Sequence, residues 1–382
     1  MGINVMIDTS RGINWGPAAF IIIYHVALLV ALPFYFYYHT PSLAMVLTSF
    51  ALFWLTGLSI TAGYHRYFSH KSYKAHPIIE AILVFLGSMT AQGSALRWSF
   101  DHRLHHAHVD TDEDPYSIKK GFWYAHCLWI IEKPRKIESR LVADLERKKL
   151  VMLQHRYYPL MMIGTNAIAT LLVGWLLNDY LGAFVISLWL RLFFLHHFTW
   201  FINSLAHTWG DKPFCTEQTA VNNFVISLVT FGEGYHNYHH TYANDYRNGI
   251  RWYHFDPTKW LVWTLNKIGL TKDLKRMDPY TIKKKMILER KDVLSKQLTD
   301  LWYVKKDELE KNIQELSDRI LEQIADFKKL SEKYRAAKKE QKRELLISLK
   351  KEIRDLKRNL KSDWRHWKKL SRNIMGLKPL PA

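Results

Sequence analysis

Nineteen of the 382 residues are histidine, and eight of them fall in three clusters. His65 and His70 flank four residues, His102 precedes His105 and His106, and His236 precedes His239 and His240. On a helix, positions i, i+3 and i+4 share a face, so each triplet can turn its imidazoles toward one centre. A single histidine is more often a satisfied core residue, the reading for His25, His39, His76, His155 and His366. Eight in three clusters read as metal ligands. Imidazole suits zinc, copper, iron and nickel, so ligand type leaves the metal open. Number narrows it: a structural zinc site closes with four ligands, and about twice that many imply two metals. The Glu-x-x-His repeats of soluble carboxylate di-iron bundles do not appear, which points to an all-histidine centre of membrane type. Carboxylates beside the clusters, Asp101, Asp110, Asp114, Glu233 and Asp245, are either orienting partners for imidazole N–H groups or exposed turn residues.

The elements that must position these clusters are apolar. Residues 17–38 contain no Asp, Glu, Lys or Arg and are long enough to cross roughly 30 Å of hydrocarbon as a helix. A short turn with Pro41 leads into a second run, 43–63, and the two form an antiparallel hairpin. Runs 160–177 and 181–202, joined at Asn178-Asp179-Tyr180, form another. Residues 78–96 make a shorter stretch, broken by Gln92 and Gly93, expected to lie at the interface because a crossing there would part the histidine clusters. Lysine and arginine fall almost wholly after Tyr64 and Ile202, not at the hairpin tips, so the positive-inside rule puts both long polar segments, both termini and the clusters in the cytosol. The expected fold is all-α: four membrane helices with a cytosolic helical cap over 1–282, and a charged coiled-coil-like tail over 283–382. In that tail, apolar residues recur in steps of three and four at Leu309, Ile313, Leu316 and Ile320, and again at Leu346, Leu349, Ile353, Leu356 and Leu360. The polar stretch Arg335 to Arg343 divides them into a helical hairpin or two coiled-coil segments, either a solvated appendage or a surface for self-association, a partner helix or a membrane.

Composition removes other classes. Two cysteines, Cys127 and Cys215, exclude a disulfide framework. The net charge of +19 sits beside apolar spans and in the tail, with no nucleic-acid module, so anionic lipid or an anionic substrate carrier fits it better than nucleic acid.

His65-Arg-Tyr-Phe-Ser-His70, His102-Arg-Leu-His-His106 and Gly234-Tyr-His-Asn-Tyr-His-His240, with Asn203-Ser-Leu-Ala-His207, resemble the histidine boxes of acyl-CoA delta-9 (stearoyl-CoA type) desaturases from about Leu52 to Trp260. The resemblance implies two irons. His65, His70, His102, His106 and His239 would hold one; His105, His207, His236 and His240 would hold the other, with Asn203 reaching it through water. It further implies O2 as co-substrate, a cis double bond introduced into a saturated acyl chain, and two electrons from an external carrier such as cytochrome b5 or ferredoxin with its reductase.

By the same resemblance Gln92, Trp98 and Thr199 bend an apolar tunnel at the reacting carbons, while Phe53 and Gly57 close it. A uniform acyl chain offers no polar handle, so such a tunnel is what regioselectivity requires. Arg103, Lys119, Lys120, Lys133 and Arg156 are candidates for coenzyme A phosphates, each also a plain cytosolic anchor. Lys133-Pro134 stands where the family commonly has an Arg-Lys pair, so acyl-lipid and acyl-carrier-protein substrates stay open. Membrane hydroxylases and alkane mono-oxygenases use related clusters and form the nearest alternative; a metal transporter would place its ligands within the spans instead.

Overall fold

A computed structural model describes residues 11–299, 301 and 304–377, and divides into two compact units, Met1–Arg276 and Met277–Ala382. The first unit begins with a helical hairpin, α1 (Trp15–Tyr38) and α2 (Leu43–Ser69). Then come α3 (Pro77–Ser88), α4 (Ala95–His108), α5 (Phe122–His126), α6 (Ser139–Glu146) and α7 (Lys149–Arg156). A second long hairpin follows, α8 (Tyr158–Leu177) and the helical run α9 (Tyr180–His207). The unit ends with α10 (Phe224–Val229), α11 (His236–Thr241) and α12 (Pro257–Lys267). Its one two-stranded ladder among the described residues pairs Lys74–Ala75 with Thr271–Lys272 antiparallel.

Helices α1, α2, α8 and α9 are each long and apolar enough to cross a membrane. On α1, Ile22, Val26, Leu29 and Val30 are largely exposed, a surface that suits lipid and not water. Both hairpin tips are fixed by capping. Ser42 Oγ accepts from Met45 N at 3.1 Å, and Asp179 accepts from Gly182 N at 2.6 Å and from the Tyr35 hydroxyl at 2.9 Å. Helix α3 has 12 residues, about 18 Å of rise, too short to cross.

Two helices outrun the apolar segments that mark them. The apolar runs stop at Gly63 and Ile202, but α2 continues to Ser69 and the α9 run reaches His207 through a turn at Ser204 and a 3-10 turn, so His65 and His207 ride on the ends of membrane helices. Over Ser59–Ser69 the backbone of α2 widens to a π-helix. His70 N accordingly bonds the His65 carbonyl at 3.1 Å, which brings two histidines five apart to one side, with ring centroids 4.8 Å from each other.

Among its described residues the second unit holds three helices, α13 (Pro279–Thr299), α14 (Lys306–Lys339) and α15 (Arg343–Met375). Ile313, Leu316 and Ile320 of α14 are buried with Leu360, Trp367 and Ile374 of α15, and Arg319 pairs with Asp363 across them at 3.0 Å. The expected hairpin is completed by α13, whose Ile287, Leu294 and Leu298 enter the same core. Its long apolar spacing lies before the two heptad-like patterns, among lysines that mask it in a composition reading.

Candidate metal centre

Helix α4 carries His102, His105 and His106, and α11 carries His236, His239 and His240. Together with His65 and His70 of the α2 end and His207 of the α9 end, these form two groups. His65, His70, His102, His106 and His239 make one, and His105, His207, His236 and His240 make the other; within each group, one ring nitrogen per residue lies within 4.8 Å of the others. The inner nitrogens face one another. Nε2–Nε2 separations are 2.9 Å for His65 and His239, 2.7 Å for His70 and His102, and 3.0 Å for His239 and His106. In the second group they are 3.3 Å for His105 and His240 and 3.0 Å for His240 and His236.

Several outer nitrogens are held by acceptors. His65 Nδ1 meets Glu233 at 3.0 Å, His105 Nδ1 meets Asp114 at 2.8 Å, and His207 Nδ1 meets the Thr219 hydroxyl at 2.7 Å. Thr219 is in turn gripped by Asp110, to which both its amide and its hydroxyl donate, at 2.7 and 2.5 Å. A carboxylate on Nδ1 fixes the tautomer that leaves the Nε2 lone pair facing inward and makes it more basic. His207 Nε2 is buried without a protein partner.

Burial, together with the charge each ring would impose on the next, holds His70, His102, His106, His236, His239 and His240 well below the ordinary histidine range. They are neutral at pH 7, the form that binds metals. Glu233 stays ionised: burial opposes its charge, but His65 and Arg66 prevail and bring it down to about 2.

Glu233 is placed from beneath. Its oxygens accept from Arg66 Nη2 at 2.8 Å and Asn248 at 2.5 Å, and Arg66 also donates to Asp256 and the Tyr246 carbonyl. Gly232, at φ +96, allows this approach, because a Cβ there would sit 2.7 Å from the Asp256 backbone. Asp256 itself caps α12 through Lys259 N.

Beside the first group opens a cavity of about 580 Å³, a size typical of ligand sites. His65, His102, Trp98, Asn203 and Glu233 line its inner part; Ile60, Met162, His196 and Thr199 line it more deeply. Arg11, Arg97, Lys133 and Arg135 also border it. Gln92 donates to Thr199 across the wall at 3.1 Å, and Trp98 stacks on His102 with centroids 5.0 Å apart.

A family model described as fatty acid desaturase matches residues 40–271. The chain belongs to the fatty acid desaturase family. It is 40% identical over 293 residues to a protein of Schizosaccharomyces pombe named "Probable acyl-CoA desaturase", covering 75% of this chain and 60% of that one. It is 40% identical to "Acyl-CoA desaturase 1" of Saccharomyces cerevisiae, covering 63% of this chain and 48% of the relative. A shorter relative, "sn-2 palmitoyl-lipid 9-desaturase" of Nostoc sp., is 35% identical with 93% of its length covered. The chain thus spans three fifths and about half of the two yeast relatives.

For this family member the structure brings Gln92, Trp98, Lys133, Thr199 and Asn203 to one cavity with the first histidine group. Phe53, Gly57, Arg103, Lys119, Lys120 and Arg156 do not line it. Arg103 stitches the cap: it donates to both Asp144 oxygens and to the carbonyls of Phe68, Ser69 and Leu141. Lys120 and Arg156 lie over Tyr124 and Tyr157. Of the flanking carboxylates, Glu233 and Asp114 hold histidines directly and Asp110 does so through Thr219, whereas Asp101 pairs with Arg97 and Asp245 with Arg247. Thr219 and Arg66 carry no sequence signal of their own; both become legible only when distant segments meet.

Proposed function

We propose that this chain is an O2-dependent fatty acyl desaturase in which the two histidine groups hold two iron ions. The observation that carries the reading is the convergence of nine mostly buried imidazoles, inner nitrogens facing one another, two of which, His65 and His102, line a cavity with largely apolar sides. The donor set fits: the outer nitrogens of His65 and His105 are tied to carboxylates, no carboxylate lies within either group, and there are more ligands than a zinc site uses. Bound iron would supply O2 reduction coupled to removal of two hydrogens, so that –CH2–CH2– plus O2, two electrons and two protons gives –CH=CH– and two waters.

The protein's own part is placement. The walls exclude water and hold the acyl chain by dispersion, and the Gln92–Thr199 hydrogen bond beside Trp98 fixes where the chain passes His65 and His102. Lys133 and Arg135, which make no ion pair among the described residues, border the cavity where an anionic carrier would enter, which supports acyl-CoA as the substrate. Asn203 is assigned to the second metal through water. The charge distribution supports a cytosolic centre and cytosolic termini. Electrons come from an external protein carrier such as cytochrome b5 or ferredoxin.

The test is expression in a host with a competent electron donor, with gas chromatography and mass spectrometry of total fatty acids beside His239→Ala. New monoenes with one bond position, absent in the variant, are expected. Hydroxylated chains would move the assignment to a hydroxylase, and no new product from a metal-loaded protein would contradict it.

A further inference from the structure

Arg191 lies within the membrane helix α9 and is buried, 4% exposed. Its partners are all neutral. Nε donates to the Ser187 carbonyl at 2.8 Å, Nη2 to Asn166 Oδ1 at 2.6 Å, and Nη1 to Thr56 Oγ1 and the Met89 carbonyl at 3.4 Å each. Asn166 and Thr56 are themselves tied to their own helices, at Met162 and Leu52 carbonyls. A guanidinium at this depth without a carboxylate is costly, and such groups mark function more often than packing.

Its place relative to the cavity gives that function a form. Ile60, Met162, His196 and Ala91 line the cavity, and Arg191 does not. Thr56 lies four residues before Ile60 on α2, which runs toward the histidines. Asn166 lies four residues after Met162 on α8, which runs away from them, and Arg191 lies five before His196 on α9, which runs toward them. Met89 lies two before Ala91. The network therefore spans α2, α8, α9 and the α3–α4 connection about one helical turn past the deepest wall residues. The positions that family resemblance assigns to the tunnel end are filled otherwise. A Cβ on Gly57 would sit 2.1 Å from the Phe231 ring, and Phe53 packs on that same ring at 5.2 Å between centroids.

We propose that Arg191, fixed by Asn166 and Thr56, is the polar stop that backs the end of the cavity behind Ile60, Met162 and His196, and so sets the longest chain accepted. The inference rests on the desaturase reading. A methyl terminus can pass this point only by displacing a charged group each of whose nitrogens already donates a hydrogen bond, so each added carbon meets a polar stop. Replacing arginine by methionine keeps an unbranched side chain of similar reach but makes it apolar and deformable.

The test offers membranes holding the full chain an equimolar mixture of saturated acyl-CoAs that differ by two carbons, with product length and bond position both read. Arg191→Met should raise the ratio of the longer to the shorter monoene by about tenfold, the scale on which a hydrophobic pocket discriminates methylenes, with bond position from the carboxyl end unchanged. Arg191→Lys, which keeps the charge, should stay near wild type. In parallel, thermal-shift measurements on the purified protein should show stabilisation by a longer acyl-CoA in Arg191→Met only. An unchanged length profile in an Arg191→Met protein with full metal content would overturn the proposal. If that variant loses its metal, Asn166→Ala takes its place and must shift the profile in the same direction or the proposal fails. Absence of any monoene from the wild type would instead overturn the desaturase reading.

Discussion

Two sets of histidines share the first unit, and their hydrogen bonds run in opposite senses. In the candidate metal groups, the outer nitrogens of His65, His105 and His207 are anchored on Glu233, Asp114 and Thr219 while the inner ones crowd together with little but each other to meet. The second set, His25, His197 and His126, forms a line. His25 Nδ1 meets the Ile21 carbonyl at 2.7 Å, its Nε2 meets His197 at 3.1 Å, His197 Nδ1 meets His126 at 3.0 Å, and His126 Nδ1 meets the Ser204 hydroxyl at 3.0 Å. The carbonyl can only accept, so His25 donates there and every later tautomer in the line is fixed in turn. Each ring nitrogen has one partner and no lone pairs converge. Imidazoles in contact become a ligand set when their outer nitrogens are held and their inner ones are left without acceptors; otherwise they are polar packing.

Substitutions can break or sharpen that contrast. His239→Ala removes a ring that touches both His65 and His106, and should abolish metal in the first group together with product formation, read by metal analysis and fatty acid profiling. Glu233→Gln should cost about 3–5 kcal/mol, because it leaves the buried Arg66 short of a counter-charge and His65 without its anchor; thermal unfolding in detergent reads it. Asp114→Asn removes the charge that, among the histidines, meets only His105, and should weaken metal binding about 10–100-fold while the amide oxygen still accepts from Asp110 N or Tyr116 N, read by competition with a chelator.

The linear set should respond most weakly. His25→Phe should leave metal content unchanged and cost about 1 kcal/mol, the scale of one hydrogen bond. His126 adds a pH signature. Burial, then the neighbouring His197, lowers its folded value to about 4. The unfolded chain takes up this proton below about 6.5 and the folded chain resists it until about 4. Stability present above pH 6.5 is therefore lost as pH falls through that window, and His126→Gln should flatten the loss in a melting-temperature profile.

Much of this architecture is legible in the residues. Apolar runs mark the four membrane helices, and the i, i+3, i+4 spacing of His102/His105/His106 and His236/His239/His240 marks a shared face. His65 and His70 follow no α-helical face, and only the π-turn of α2 accounts for them. Helix ends were less legible than helix existence, since α2 and α9 continue into polar sequence where hydropathy stops reporting. The supports are long-range. Arg66, Asp256 and Thr219 act through partners up to 190 residues away, and local spacing carries no trace of that. The third tail helix, α13, was hidden because its four buried residues lie among lysines at wide intervals.

The proposed site has nine histidines holding two irons. Metal quantification on the purified full chain, alongside His105→Ala and His70→Ala, tests it most directly. Two irons per chain are expected, with each variant losing the metal of its own group; one metal per chain, or zinc retained through both substitutions, would contradict the account.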